Sequence, residues 1–173
     1  MIDTEQLQAR MKGIRHFTAQ EYLRLRRDRD WTELPEEFLP ATLRVLRAAD
    51  QLRELHGSPV IVGNGYRPSG YNARVGGAKN SAHIRGAAMD LDPIKAERDF
   101  AVLCARAWLG TDWLHGIGIY GGRVHIDVAH PGSAGKRAWP ARWNPASLCA
   151  RTLRAAKRAG PITLTEGSPH DAV

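Results

Sequence analysis

After Gly57 the apolar residues of this chain change their period. Before it, Leu43, Leu46, Ala49, Leu52 and Leu55 recur at three-residue spacing, close to one face of a helix over residues 39–55. Pro40 is tolerated in the first turn of such a helix, and Gly57 is a natural terminator. Beyond it, residues 59–62 form a short β-branched run read as a buried strand, and residues 87–91 read as another strand. Residues 116–120 and 124–128 read as a hairpin turned at Gly121-Gly122. Further helices are expected over 4–12, over 18–28 with Thr18 and Glu21 in a capping-box pattern, over 94–109, and from a Ser147 cap to about residue 159. Phe100, Leu103, Cys104, Ala107 and Trp108 share one side of the third of these. The fold class is therefore α+β: helices packed on a small, mainly antiparallel sheet.

Composition narrows the possible functions. No stretch approaches 18 consecutive apolar residues, which excludes a transmembrane helix. The first 30 residues are charged throughout and lack an apolar core, so no secretory signal is expected there. Two cysteines, Cys104 and Cys149, are too few for a disulfide scaffold or a cysteine-rich zinc site. Any metal must then be held by histidines and carboxylates, and Cys104 reads as a small core hydrophobe. The net charge is +7, and residues 131–173 hold 7 basic against 2 acidic residues. Arg151, Arg154 and Arg158 line one side of the last helix. That face is either attracted to a polyanion or is simply solvated. No motif for reading nucleic acid accompanies it, so no specific nucleic-acid partner is expected.

Two stretches carry candidate chemistry. His83 ends a Gly/Asn/Ser-rich loop over 63–82, long enough to be functional, and Asp90 stands seven residues on in an otherwise apolar strand. A carboxylate there is costly to bury without a metal, an arginine or backbone amides as partner. In the run Val124-His125-Ile126-Asp127-Val128, strand alternation sends His125 and Asp127 to one face and the aliphatic residues to the core. Two histidines and a carboxylate with an open position form a catalytic zinc shell. Hydrogen-bonded structural histidines are the competing reading of the same spacing. Arg67 follows the strand at 59–62 and suits a bidentate contact with a carboxylate or carbonyl. Gly76-Gly77 lacks the Lys-Ser/Thr of a phosphate loop, and Trp139 and Trp143 read as plugs over a core edge.

The stretch Gly63-Asn64-Gly65-Tyr66-Arg67-Pro68, the run from Tyr71 to Asp90 containing Ser81-Ala82-His83 and Gly86-Ala87-Ala88-Met89-Asp90, the segment Gly116-Ile117-Gly118-Ile119-Tyr120 and the run Val124-His125-Ile126-Asp127-Val128 together resemble the zinc D-Ala-D-Ala carboxypeptidase and murein endopeptidase family. The resemblance covers residues 58–140 and implies the Hedgehog/DD-peptidase fold. It implies zinc ligands at His83, Asp90 and His125, substrate binding by Arg67, and a substrate or hydrogen-bonding role for Ser81. Several relatives carry a catalytic carboxylate three residues before the last ligand; here that position is Gly122. Asp127 is then the expected general base, or a group orienting a ligand histidine, and His115 the other candidate for transition-state stabilisation.

The implied activity is zinc-dependent hydrolysis of peptide bonds in peptidoglycan stem peptides or cross-links, as a carboxypeptidase or an endopeptidase. The expected organisation is a single zinc peptidase domain over 1–160, comprising a helical part (1–57), the metal-site core (58–140) and a basic helix (147–159), followed by a flexible tail (161–173). A monomer is expected. Lacking an export signal, such an enzyme would be made in the cytoplasm and reach the wall through a membrane-pore protein or inside a virion, as a bacteriophage endolysin does. The basic C-terminal region would favour anionic envelope polymers. A catalytically silent wall-binding or virion module on the same fold is the alternative.

Overall fold

Asp3 and Thr18 open the first two helices by the same reciprocal device. Asp3 accepts from the Gln6 amide and the Gln6 side chain accepts from Asp3, starting α1 (Thr4–Arg10); Thr18 and Glu21 repeat this for α2 (Ala19–Leu23). The computed structural model describes residues 1–130, 135–139 and 148–166, with Trp139 described by its backbone alone. Ser147 and Trp143 lie outside the described residues. The helix expected over 18–28 stops at Leu23. Arg24–Leu25 (β1) instead pairs antiparallel with Asp30–Trp31 (β2), the chain reversing through Arg29 at φ 57°. Tertiary partners outbid helix propensity here: the Arg27 amide donates to the Tyr71 hydroxyl, and the Arg26 guanidinium to the Val62 carbonyl.

Helix α3 (Leu39–His56) has Pro40 in its first turn and ends at Gly57, whose φ of 65° is the left-handed conformation glycine adopts freely. Leu43, Leu46, Ala49 and Leu52 are buried as expected, but Leu55 is 60% exposed. Each three-residue step falls about 60° short of a full turn, so the series winds around the helix rather than following one face. Thr42, Val45 and Ala48 are buried as well, because α3 is covered on more than one side.

The main sheet comprises β3 (Val60–Asn64), β4 (Ala88–Pro93), β5 (Leu114–Tyr120), β6 (Arg123–Val128) and β7 (Arg137–Trp139), in the order β3-β4-β6-β5-β7. Its pairs are antiparallel except β5 with β7, which is parallel. The α+β architecture with a mainly antiparallel sheet is the one expected. Strand β7 is not among the strands expected from the sequence. The span 63–82 is not all loop, since it contains α4 (Ser69–Arg74). Asn72 fastens the return of that segment, donating to Ala78 O and accepting from Gly77 N. A Cβ on Gly77 would stand 2.1 Å from Asn72 Oδ1, which explains the Gly76-Gly77 pair without any phosphate.

Helix α5 (Glu97–Gly110) starts three residues later than expected, after Ala96 at φ 50°. It packs between α3 and α6 (Leu148–Ala159). Cys104 is buried within this layer as a free thiol, with burial pushing its pKa up, so it does behave as a core hydrophobe. On α6, Cys149, Ala150, Thr152, Leu153 and Ala156 turn inward, while Arg151, Arg154, Lys157 and Arg158 are exposed. Residues 161–166 are docked, which corrects the expectation of a flexible tail from 161. Leu164 is buried and donates to Thr111 Oγ1, and Thr165 bonds to Gln51. No helix among the described residues is long and apolar enough to cross a membrane.

Candidate metal centre

His83 sits on a single 3-10 turn, Ala82–Arg85, capped by Ser81 and closed by Gly86 at φ 61°. The helical N-terminal part holds this turn in place. The Gly86 carbonyl accepts from the Tyr22 hydroxyl at 2.7 Å and from Thr42 Oγ1 at 3.0 Å. Gly65 passes so close to α2 that a Cβ would stand 2.1 Å from Tyr22 O. Its own carbonyl accepts from His83 Nδ1 at 2.7 Å. Asp90 and His125 face each other in register on β4 and β6.

Three donor atoms meet at the end of this frame. Asp90 Oδ1 lies 2.9 Å from His125 Nδ1 and 3.3 Å from His83 Nε2, and the two ring nitrogens are 3.1 Å apart. Metal–ligand bonds of about 2.0–2.1 Å in a tetrahedral zinc shell imply ligand separations of about 3.3–3.4 Å, close to those seen. The proton count points the same way. A carbonyl can only accept, so His83 Nδ1 carries the hydrogen it donates to Gly65. His125 Nε2 faces the Asp127 carboxylate at 3.3 Å, and the tautomer that donates there leaves Nδ1 as a lone pair. In neutral rings the inward nitrogens are then lone pairs, converging with a carboxylate oxygen and no donor among them. That arrangement can hold a cation, and His83, Asp90 and His125 are buried together as a group able to do so.

Burial pushes the His83 pKa down, against the opposing pull of Asp90. Burial acts in the same sense on His125, but its contacts with Asp127 and Asp90 outweigh it and raise the pKa. Burial alone would raise the Asp90 pKa; its contacts with His125 and His83 instead hold it far below the carboxylate range.

The structure brings together His83, Asp90, His125, Asp127, Arg67 and Ser81, all of which line one cleft of about 960 Å³. Asp127 stands behind the His125 ring, since it meets Nε2 while Nδ1 faces Asp90. Its other oxygen accepts from Arg137 Nη2 at 2.8 Å, and the residue is fully buried. Ser81 Oγ accepts from the His83 amide at 3.4 Å. His115, at the irregularity in β5 between Leu114 and Gly116, is not among the lining residues of this cleft. Arg67 projects into it with a buried Nε that has no hydrogen-bond partner among the described residues.

Three supporting residues were not assigned roles from sequence. Asn64 donates to Asp90 Oδ2 at 2.9 Å, leaving Oδ1 to the histidines. Arg137 clamps Asp127 from β7, a strand too short to show a period. Gly116 lies opposite Asp127, and a Cβ there would stand 1.9 Å from Asp127 Oδ2. A glycine facing the His125/Asp127 alternation was the available signal.

A sheet and an adjoining turn that bring two imidazoles and a carboxylate together in an open cleft form a framework that could hold the metal of a metal-dependent hydrolase. Residues 15–127, well over half of the chain, match the model of the Peptidase M15 family, and the chain belongs to that family of metallopeptidases. No curated protein matches it. The match contains every cleft residue discussed above except Arg137.

Proposed function

We propose that this chain is a zinc-dependent peptidase hydrolysing peptide bonds in bacterial peptidoglycan, in stem peptides or their cross-links. The observation that carries this reading is Arg67, in the cleft beside the candidate metal ligands. Burial acts to lower its pKa, Asp90 opposes this, and its Nε–H lacks an acceptor. A buried donor left unpaired is costly, and a guanidinium pairs best with a carboxylate or carbonyl oxygen. A stem peptide offers both. The cleft, of about 960 Å³, has room for a short peptide.

His83, Asp90 and His125 are the residues that would hold the metal, which when bound supplies polarisation of the scissile carbonyl and acidification of the attacking water. Arg67 anchors the peptide. Asp127 orients His125 rather than serving as the general base, because both its oxygens are engaged and it faces the ring from behind. Ser81 holds the His83 turn at the cleft wall. His115 does not line the cleft, so no role is assigned to it in the proposal.

Mass spectrometry of purified peptidoglycan after digestion tests the reading. Cross-linked dimers falling to monomers identify an endopeptidase, and loss of a terminal alanine a carboxypeptidase. Unchanged fragments across several wall types, with zinc bound, would overturn it in favour of a silent module. Arg67→Ala is expected to lower kcat/KM by about 10–100-fold with zinc content unchanged, the loss of one charge-assisted contact. Steady-state kinetics on a soluble stem peptide check this, and Arg67→Lys restores only part, since an ammonium cannot fork.

The proposal includes the setting of a phage lysis enzyme, released by a membrane-pore protein or carried in a virion. What supports it is the exposed basic face of α6, which suits anionic envelope polymers. Retention on purified walls that weakens as salt rises is the expected behaviour; salt-independent retention would remove that contact.

A further inference from the structure

We propose that Glu97 is the general base of this cleft, an assignment that rests on the metallopeptidase reading above. Hydrolysis of an amide needs a group that takes a proton from the attacking water and delivers it to the leaving nitrogen. Such a group needs a free lone pair and access to the open side of the cleft.

Four carboxylates line the cleft: Asp90, Asp92, Glu97 and Asp127. Three are committed. Asp90 divides its oxygens between the histidines and Asn64. Asp92 is gripped by both Nε and Nη2 of Arg123, at 2.6 and 2.7 Å. Asp127 is sealed between His125 and Arg137. Glu97 alone is exposed and forms no hydrogen bond or ion pair among the described residues.

Its position is set from two sides. Glu97 is the first residue of α5, and the left-handed Ala96 before it turns the helix start toward the β5–β6 hairpin. There its carboxylate lies over Gly122, three residues before His125. A Cβ on Gly122 would stand 3.2 Å from Glu97 Oε2, 3.3 Å from Cδ and 3.4 Å from Oε1. Such equal distances mean that the whole carboxylate rests on the bare turn. Glu97 therefore fills the space a side chain at position 122 would enter, and the missing side chain is what admits it.

In the reaction, one proton of the attacking water passes to the Glu97 carboxylate as the water oxygen bonds to the carbonyl carbon. When the C–N bond breaks, that proton passes to the leaving nitrogen. One water is consumed, one amide becomes an acid and an amine, and Glu97 is ionised again.

The test uses the full chain loaded with zinc and a soluble stem peptide. Wild-type protein that binds zinc but hydrolyses nothing would defeat the functional reading itself. Given an active wild type, Glu97→Gln is expected to lower kcat by about 10²–10⁴-fold. KM and the zinc dissociation constant stay within about twofold, since the residue neither anchors the peptide nor touches a ligand. A readout without turnover accompanies this: the ¹³C carboxyl resonance of Glu97 shifts on zinc addition to substrate-free protein, while that of Glu5 on α1 does not. A Glu97→Gln variant with wild-type kcat, a loss of zinc in proportion to kcat, or a Glu97 resonance blind to zinc would each overturn the assignment.

Discussion

Alanine in place of His83 or His125 is expected to abolish zinc retention and hydrolysis together. Each ring supplies one of the three inward donors, and its outward nitrogen is already fixed, so no rotamer change lets a neighbour substitute. The loss should exceed the about 10–100-fold attached to removing an outer hydrogen-bond partner of a ligand. Stability gives a second readout. A cation that binds only the folded chain stabilises it by about 2.7 kcal/mol at one hundred times its dissociation constant, or roughly 5–11 °C in Tm for a chain of this size. Zinc should raise the wild-type Tm by that amount, a chelator should reverse it, and neither variant should respond. A zinc-stabilised, active His83→Ala would remove the site from these residues.

Gly116→Ala has the next largest expected effect, at a position that touches no ligand. The added Cβ would stand 1.9 Å from Asp127 Oδ2, so the carboxylate must leave its seat between His125 and Arg137. His125 then loses the acceptor that keeps its Nδ1 lone pair turned inward. Zinc affinity or activity should fall about 10–100-fold. Overpacking beside a displaced buried charge adds a stability loss of about 1–3 kcal/mol. Gly70→Ala is the matched control: it lies in α4, meets nothing within 4 Å, and gains the helix preference of alanine. Zinc affinity of Gly116→Ala equal to that of the control would mean that Asp127 does not orient His125.

These contrasts mark how far the sequence could be read. The α+β class, α3, both β5–β6 strands and the donors His83, Asp90 and His125 were legible, because periodicity and motif spacing are local properties. The alternation that turned His125 and Asp127 to one face was right as well. Which side of the ring Asp127 occupies depends on the rotamer of His125, and spacing carries no information about that. Arg137 was invisible because it reaches Asp127 from a three-residue strand whose only order is its pairing with β5. Leu55 and the end of α2 failed for a shared reason: which face is covered, and where a helix gives way, are decided by segments distant in the chain. Glu97 read as one more charge at a helix start, since only the folded hairpin sets it over Gly122.

The hydrogen bonds from Tyr22 and Thr42 to the Gly86 carbonyl bear on how this chain could be divided. They tie the turn that carries His83 to two helices through residues that precede every donor atom by at least forty positions of sequence. A fragment starting at Val60 would contain all three donors and still lack the scaffold that aims the first of them. Cation affinity is thus a property of the intact polypeptide, and a titration with zinc reports on the cooperativity of its folding as directly as on the centre itself.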